Sequence, residues 1–179
     1  MELNGLGVED SFFASDDLIK KLFVMQEVMK SKMNYTKESY ENMYAYGYNF
    51  FTAGQFDKAK DVFKMLVILE PKNIKGFIAL GGCFQKLEQF ESAMNIYRSG
   101  TYVDPENPVV CMNLGLCHMN LDELPAAEQC FLAACLLTHK NRESDPKTQY
   151  FVAEKLWKMT RSKQKKQAIS IEQSLIQVD

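Results

Sequence analysis

The chain has 179 residues, 46% hydrophobic and 25% charged, with a formal net charge of −2 and an isoelectric point near 5.8. That is the balance of a folded globular protein, and it offers no global basic excess for nucleic acid or an anionic membrane. Charged residues break every apolar run well short of the roughly 20 residues a membrane span needs, and the start MELNGLGVEDSFFASDD is acidic where a signal peptide is basic and then apolar, so a cytosolic protein is expected.

The first dozen residues are expected to fray. In DDLIKKLFVMQEVMKSK, Leu18, Leu22, Met25 and Met29 fall at helical spacing behind acidic capping residues. The expected element is a capping or dimerising helix. A second copy covers its Leu/Met stripe, or the following repeat does.

From Tyr40 onwards the chain repeats itself with a spacing of 34. Gly47, Gly81 and Gly115 align, as do Ala59, Ala93 and Ala127, and the aromatics Phe63, Tyr97 and Phe131. Pro71 and Pro105 match, His139 takes the third proline place, and Asn73, Asn107 and Asn141 close the units. Small residues at two fixed sites, an aromatic and a terminal proline are the tetratricopeptide pattern of paired antiparallel helices. One such unit cannot bury its apolar face alone, so stacked repeats with capping helices are expected. The predicted fold is all-α: an N-terminal segment and helix (1–39), three repeats forming a short superhelix (40–73, 74–107 and 108–141), and a C-terminal helix with a basic tail (142–179).

That last helix is predicted to start at Asp145-Pro146, as N-cap and first helical residue, with Val152, Leu156 and Met159 on one packed face. Lys158, Arg161, Lys163, Lys165 and Lys166 read as a solvated helix end. Residues 168–179 carry no placement.

The sequence holds no phosphate-binding Gly-Lys-Ser/Thr loop, HExxH or GxSxG, and the Gly5-Leu6-Gly7 stretch lacks a third glycine. Cys83, Cys111, Cys117, Cys130 and Cys135 lie in apolar helical runs without zinc-type spacing and read as reduced core thiols. His118 and His139 occupy different repeat places with no partner constellation and read as structural. No catalytic residue, metal or cofactor is expected, and the chain reads as a binding protein, not an enzyme.

In such repeats the first helix of each pair lines a concave wall, the usual binding surface. The second, fifth, ninth and twelfth places of each repeat face that wall, and the fourth, seventh, eighth and eleventh face the core. The predicted peptide-binding residues are therefore Tyr44, Tyr48 and Phe51, then Ile78 and Gln85, then Val109, Met112, Leu116 and Met119. Tyr46 and Phe50 are assigned to the core, and Glu41, Lys75, Gln85 and Lys86 to a polar rim. An apolar, aromatic, Met-rich wall suits an extended peptide with spaced apolar anchors; a capping helix or a neighbouring subunit in the groove is the other occupant. Co-chaperones that grip acidic heat-shock C-termini need Lys, Asn and Arg where this chain has Tyr44, Tyr48, Ala79, Val109 and Asn113, so that carboxylate clamp is missing.

MYAYGYNFFTAGQFDKAKDVF, LGGCFQKLEQFESAMNIYRSG and AAEQCFLAA resemble the three repeats of the class II chaperones of bacterial type III secretion, from about Thr36 to Asn141. CMNLGLCHMNL departs from that family's third repeat, and the C-terminal tail is unmatched. The resemblance implies a bacterial cytosolic chaperone, often a homodimer through its N-terminal region, here Leu18, Leu22, Met25 and Met29. Its groove aromatics, Tyr44, Tyr48 and Phe51 in this chain, would hold an N-terminal segment of a hydrophobic translocator protein before export. The competing reading is a tetratricopeptide scaffold joining other proteins through its rim or outer surface.

Overall fold

The computed structural model describes residues 9–13, 17–32, 35–140 and 147–176. The first eight residues, Asn141, the Asp145-Pro146 cap and the His139 side chain lie outside that set. Nine helices and no strand are found among the described residues: α1 (Asp10–Phe13), α2 (Leu18–Lys32), α3 (Lys37–Thr52), α4 (Phe56–Leu69), α5 (Ile74–Lys86), α6 (Phe90–Val103), α7 (Pro108–Asn120), α8 (Leu124–Lys140) and α9 (Lys147–Ile176). They form two compact units, Met1–Pro105 and Glu106–Asp179, and the division falls between the second and third repeats.

All three repeats turn the same way. The N–H groups of Gln55, Gln89 and Glu123 each donate to the carbonyl five residues back, on Phe50, Phe84 and His118, at 2.9 Å. This six-to-one bond closes a helix on a left-handed residue, which is Gly54 at φ 74° and then Glu88 and Asp122 at φ 59°. The repeat-closing asparagines start the next helix. Asn73 Oδ1 accepts from the Lys75 N–H at 3.2 Å, and Asn107 Oδ1 from Val109 at 3.1 Å, each satisfying an orphan donor of the first turn. Within each pair a Cβ on Gly47, Gly81 or Gly115 would lie 2.9, 2.5 or 2.7 Å from the ring of Phe63, Tyr97 or Phe131. Only glycine permits that approach.

In the first unit α4 is buried on several sides, because α3, α5 and α2 all pack on it. Leu18 and Leu22 are fully buried, Met29 nearly so and Met25 half-buried, and Gln26 Nε2 donates to the Leu69 carbonyl at 2.8 Å. The Leu/Met stripe of α2 is therefore covered by the second helix of the chain's own first repeat. The opposite face of α2 exposes Phe23, Val24 and Val28.

Two expectations are corrected here. Residues 10–13 do not fray: Phe13 is buried and Asp10 is paired with Lys60 and Lys64. Tyr46 is not in the core but 58% exposed, edge-on to Phe50 at 4.7 Å between ring centroids. Its seventh repeat place is buried by a preceding repeat, and α3 packs mainly on α4.

In the second unit α9 lies along α8. Ala153 joins Ala134 and Cys135, with Cys111 and Met112 against them. The packed face of α9 thus runs through Ala153 and Thr160, while Val152 and Met159 are exposed and Leu156 is half-buried. Small side chains allow the close helix approach that the expected Val152, Leu156 and Met159 face would not. Part of the basic run is pinned: Lys163 Nζ lies 3.0 Å from Asp122 Oδ1, and Arg161 lies 3.8 Å from Glu128. His118 is buried, with Nδ1 2.6 Å from Glu123 Oε2 across the turn.

Candidate functional site

In the first unit the predicted wall residues lie on α3 and α5. Tyr44 is half-buried, stacked on Tyr40 at 6.4 Å and tilted on Phe63 at 5.6 Å between centroids. Burial, then the neighbouring Tyr48 and Glu41, push its phenol pKa up. Phe51 is wedged edge-on against Phe56 at 5.3 Å. Tyr48 is the open member of the three, 53% exposed.

Ile78 of α5 is half-buried, and Lys75, Lys86 and Glu41 are exposed. Gln85 is held from behind, its Oε1 accepting from the Tyr97 hydroxyl at 2.7 Å. Sequence reasoning missed Gly82, the ninth place of the second repeat and the counterpart of Tyr48. A Cβ there would meet only the Phe51 ring, at 3.8 Å, an ordinary contact. The wall is thus recessed at Gly82 beside a ring edge. The Gly81-Gly82 doublet was the available signal, since Tyr97 demands only the first glycine.

In the second unit Val109, Met112, Leu116 and Met119 are all half-buried on α7. Met112 is engaged with Ala134, Cys135 and Ala153, and Met119 Sδ lies 4.0 Å from Thr160 Oγ1 of α9. Two of the four predicted wall residues therefore meet the C-terminal helix, the occupant weighed against a peptide.

The chemistry available is that of contact. Burial pushes the Cys83 thiol up to about 12 and raises Cys111 and Cys135 as well, so these thiols stay protonated and weakly nucleophilic. Among the described residues no three metal-ligating side chains gather, and no helix is long and apolar enough to cross a membrane.

No protein-family model and no curated protein matches the sequence. Solved structures do. A type III secretion complex from Aeromonas hydrophila contains a chain 28% identical to this one at TM-score 0.67, over 73% of this chain and 85% of that one. PcrH, a Pseudomonas aeruginosa protein, solved with the chaperone binding region of PopD, is 26% identical at TM-score 0.67, over 73% of this chain and 97% of PcrH. The Yersinia enterocolitica chaperone SycD, solved with a peptide of the translocator YopD, is 23% identical at TM-score 0.67, over 74% of this chain and 99% of SycD, a likeness of fold. The neighbours are thus a type III secretion complex, PcrH bound to the chaperone binding region of PopD and, as a likeness of fold alone, the translocator chaperone SycD.

Proposed function

We propose that this chain is a class II translocator chaperone of a bacterial type III secretion system, one that holds an extended N-terminal segment of a hydrophobic translocator protein along the inner faces of its repeats. The observation that carries the reading is the aromatic surface of α3, with Tyr48 53% exposed and Phe51 beside the bare Gly82 of α5, in a fold shared with PcrH. Tyr44, Phe51 and Ile78 supply the surrounding apolar surface of the first unit, and in the second unit Val109 and Leu116 of α7 are the residues offered to the client, since Met112 and Met119 are engaged with α9. Covering apolar client segments in the bacterial cytoplasm keeps two translocators from associating early and shields them from proteases, because a ligand that binds one state shifts the population toward it. Such a function is passive binding, without catalysis or cofactor.

Self-association forms part of the same proposal. With Leu18, Leu22 and Met29 used inside the chain, the surface left for a second copy is the outer face of α2, where Val24 and Val28 are 68% and 51% exposed. A twofold pairing of that face is the simplest closed arrangement.

Copurification from the native cell, with mass spectrometry of the retained partner, identifies the client. Calorimetry against its N-terminal peptide then tests the wall. Truncating a well-placed aromatic anchor commonly costs about 2 kcal/mol, so Tyr48→Ala is expected to weaken binding by about 30-fold with helicity intact. Lys163→Ala with Lys165→Ala is expected to change binding by less than about 0.5 kcal/mol. Normal binding by Tyr48→Ala with loss in the lysine variant would move the site to α9.

A further inference from the structure

Two lysines of α4 are sunk into the first unit. The Lys60 and Lys64 side chains are only 10% and 12% exposed. Lysines are rarely buried so far unless paired, and both meet one carboxylate: Asp10 Oδ2 lies 3.2 Å from Lys60 Nζ, while Asp10 Oδ1 pairs with Lys64. Asp57 and Asp61 of the same helix stand farther off, at 3.5 and 3.8 Å. Three residues after Asp10, Phe13 is buried to 1% exposure, and Lys64 Nζ lies 5.7 Å from its ring centroid, within cation–π range. Lys60 Nζ lies 5.6 Å from the ring of Phe84, and α1 also packs on α6. Burial alone would raise the Asp10 pKa, but the hydrogen bonds and charges of Lys64 and Lys60 prevail and hold it below the usual value.

A helix of four residues has no stability of its own. The order of α1 therefore comes from the surface it lies on, which makes residues 10–13 a docked peptide joined covalently to its receptor. We propose that the α4 surface around Lys60 and Lys64 is a receptor for short acidic-aromatic segments of the form Asp-x-x-Phe, that residues 10–13 fill it in cis, and that a partner protein presenting such a segment displaces them. This goes beyond the client reading, which uses α3 and α5. Exchange is practicable because the cis contact is a single helical turn: the buried Phe13 ring, the half-buried Phe12 with Lys21 Nζ 5.8 Å from its ring centroid, the packing on α6, and one carboxylate that is itself 44% exposed. Contacts of that size belong to the parts of a protein that open locally at low cost. A tethered segment competes at an effective concentration in the millimolar range, so the cis ligand sets a threshold that a partner must exceed.

The test uses the full chain and a fluorescein-labelled peptide of residues 8–14, VEDSFFA, followed by anisotropy. Removing the cis ligand with Asp10→Ala and Phe13→Ala is expected to tighten peptide binding by about 10-fold or more, as release from a tethered competitor predicts. Adding Lys60→Gln and Lys64→Gln to that chain removes the gain, while adding Tyr48→Ala leaves it. Replacing the peptide's Asp by Lys abolishes binding. No tightening on loss of Asp10 and Phe13 would overturn the proposal, as would binding that depends on Tyr48 and not on the lysines. Should the doubly substituted chain lose its helicity, amide exchange in the wild-type chain decides instead. Excess VEDSFFA is expected to speed exchange at residues 9–13, and unchanged exchange would sink the idea.

Discussion

The first and second repeats carry the same small residues in the same places, yet equivalent side chains meet opposite environments. Phe77, Leu80 and Phe84 of α5 are fully buried, whereas Met43 and Phe50 of α3 are half-buried and Tyr46 is 58% exposed. The backbones are built alike, with the same closing hydrogen bonds, so the difference is in what lies alongside. α5 is held between α6 and α4, while α3 rests mainly on α4. In a solenoid each repeat buries its neighbour's face, and the first repeat has none before it. The N-terminal helix α2 caps α4 instead. α3 consequently presents aromatics on two sides, Tyr48 toward the proposed client wall and Tyr46 toward the end of the stack.

The sharpest way to break this comparison is to truncate the same repeat place in both helices. Leu80→Ala removes a fully buried side chain and is expected to cost about 2–5 kcal/mol in urea denaturation. Tyr46→Ala, from an exposed side chain in edge contact with Phe50, is expected to cost less than about 1 kcal/mol. Equal costs would mean that something covers α3 in solution, and a dependence of the Tyr46 effect on protein concentration would name it as a second copy.

Glycines sharpen the contrast at the next scale. A Cβ on Gly81 would lie 2.5 Å from two Tyr97 ring atoms, with α5 confined on both sides. Gly81→Ala is expected to cost about 1–3 kcal/mol through overpacking. Gly47→Ala meets Phe63 at 2.9 Å, but α3 can shift outward, so its cost falls at the lower end. Gly82→Ala, one residue on from Gly81, makes only ordinary contact with Phe51 and is expected to stay within about 0.5 kcal/mol. Thermal melts that rank Gly82→Ala with Gly81→Ala would mean the recess at Gly82 is closed.

What the sequence discloses follows the range of the interaction involved. The spacing of 34 is visible because glycine, alanine and the aromatic recur wherever two helices must close to contact, and the proposed inner-wall places are counted from that register. Burial at the seventh place is not visible, since it depends on a preceding helix that the period does not describe. The α2 stripe is legible as apolar, but not that α4 covers it. Asp10 meets Lys60 from 50 residues away and Lys163 meets Asp122 across 41, and no local pattern announces either pair. The face of α9 was misread because hydrophobicity favoured Val152 and Met159, whereas close packing selected Ala153 and Thr160.

Substitutions at the turn residues test whether the two repeats share a backbone as closely as their hydrogen bonds imply. The turn residue of the first repeat is Gly54 at φ 74° and that of the second is Glu88 at φ 59°. A left-handed conformation costs a residue with a Cβ roughly 1 kcal/mol or more, and glycine escapes that cost while losing more chain entropy on folding. Nothing lies within 4 Å of a Cβ placed on Gly54, so Gly54→Ala acts through the backbone alone and is expected to destabilise by about 1 kcal/mol. Glu88→Gly relieves the same strain in the second repeat, and the two terms partly cancel, leaving an expected stabilisation of about 0.5 kcal/mol. Urea midpoints of the two variants should therefore move in opposite directions from the wild type. If Glu88→Gly instead destabilises the chain as much as Gly54→Ala does, contacts of the Glu88 side chain outweigh backbone strain in that turn, and the two repeats differ there as well as in their neighbours.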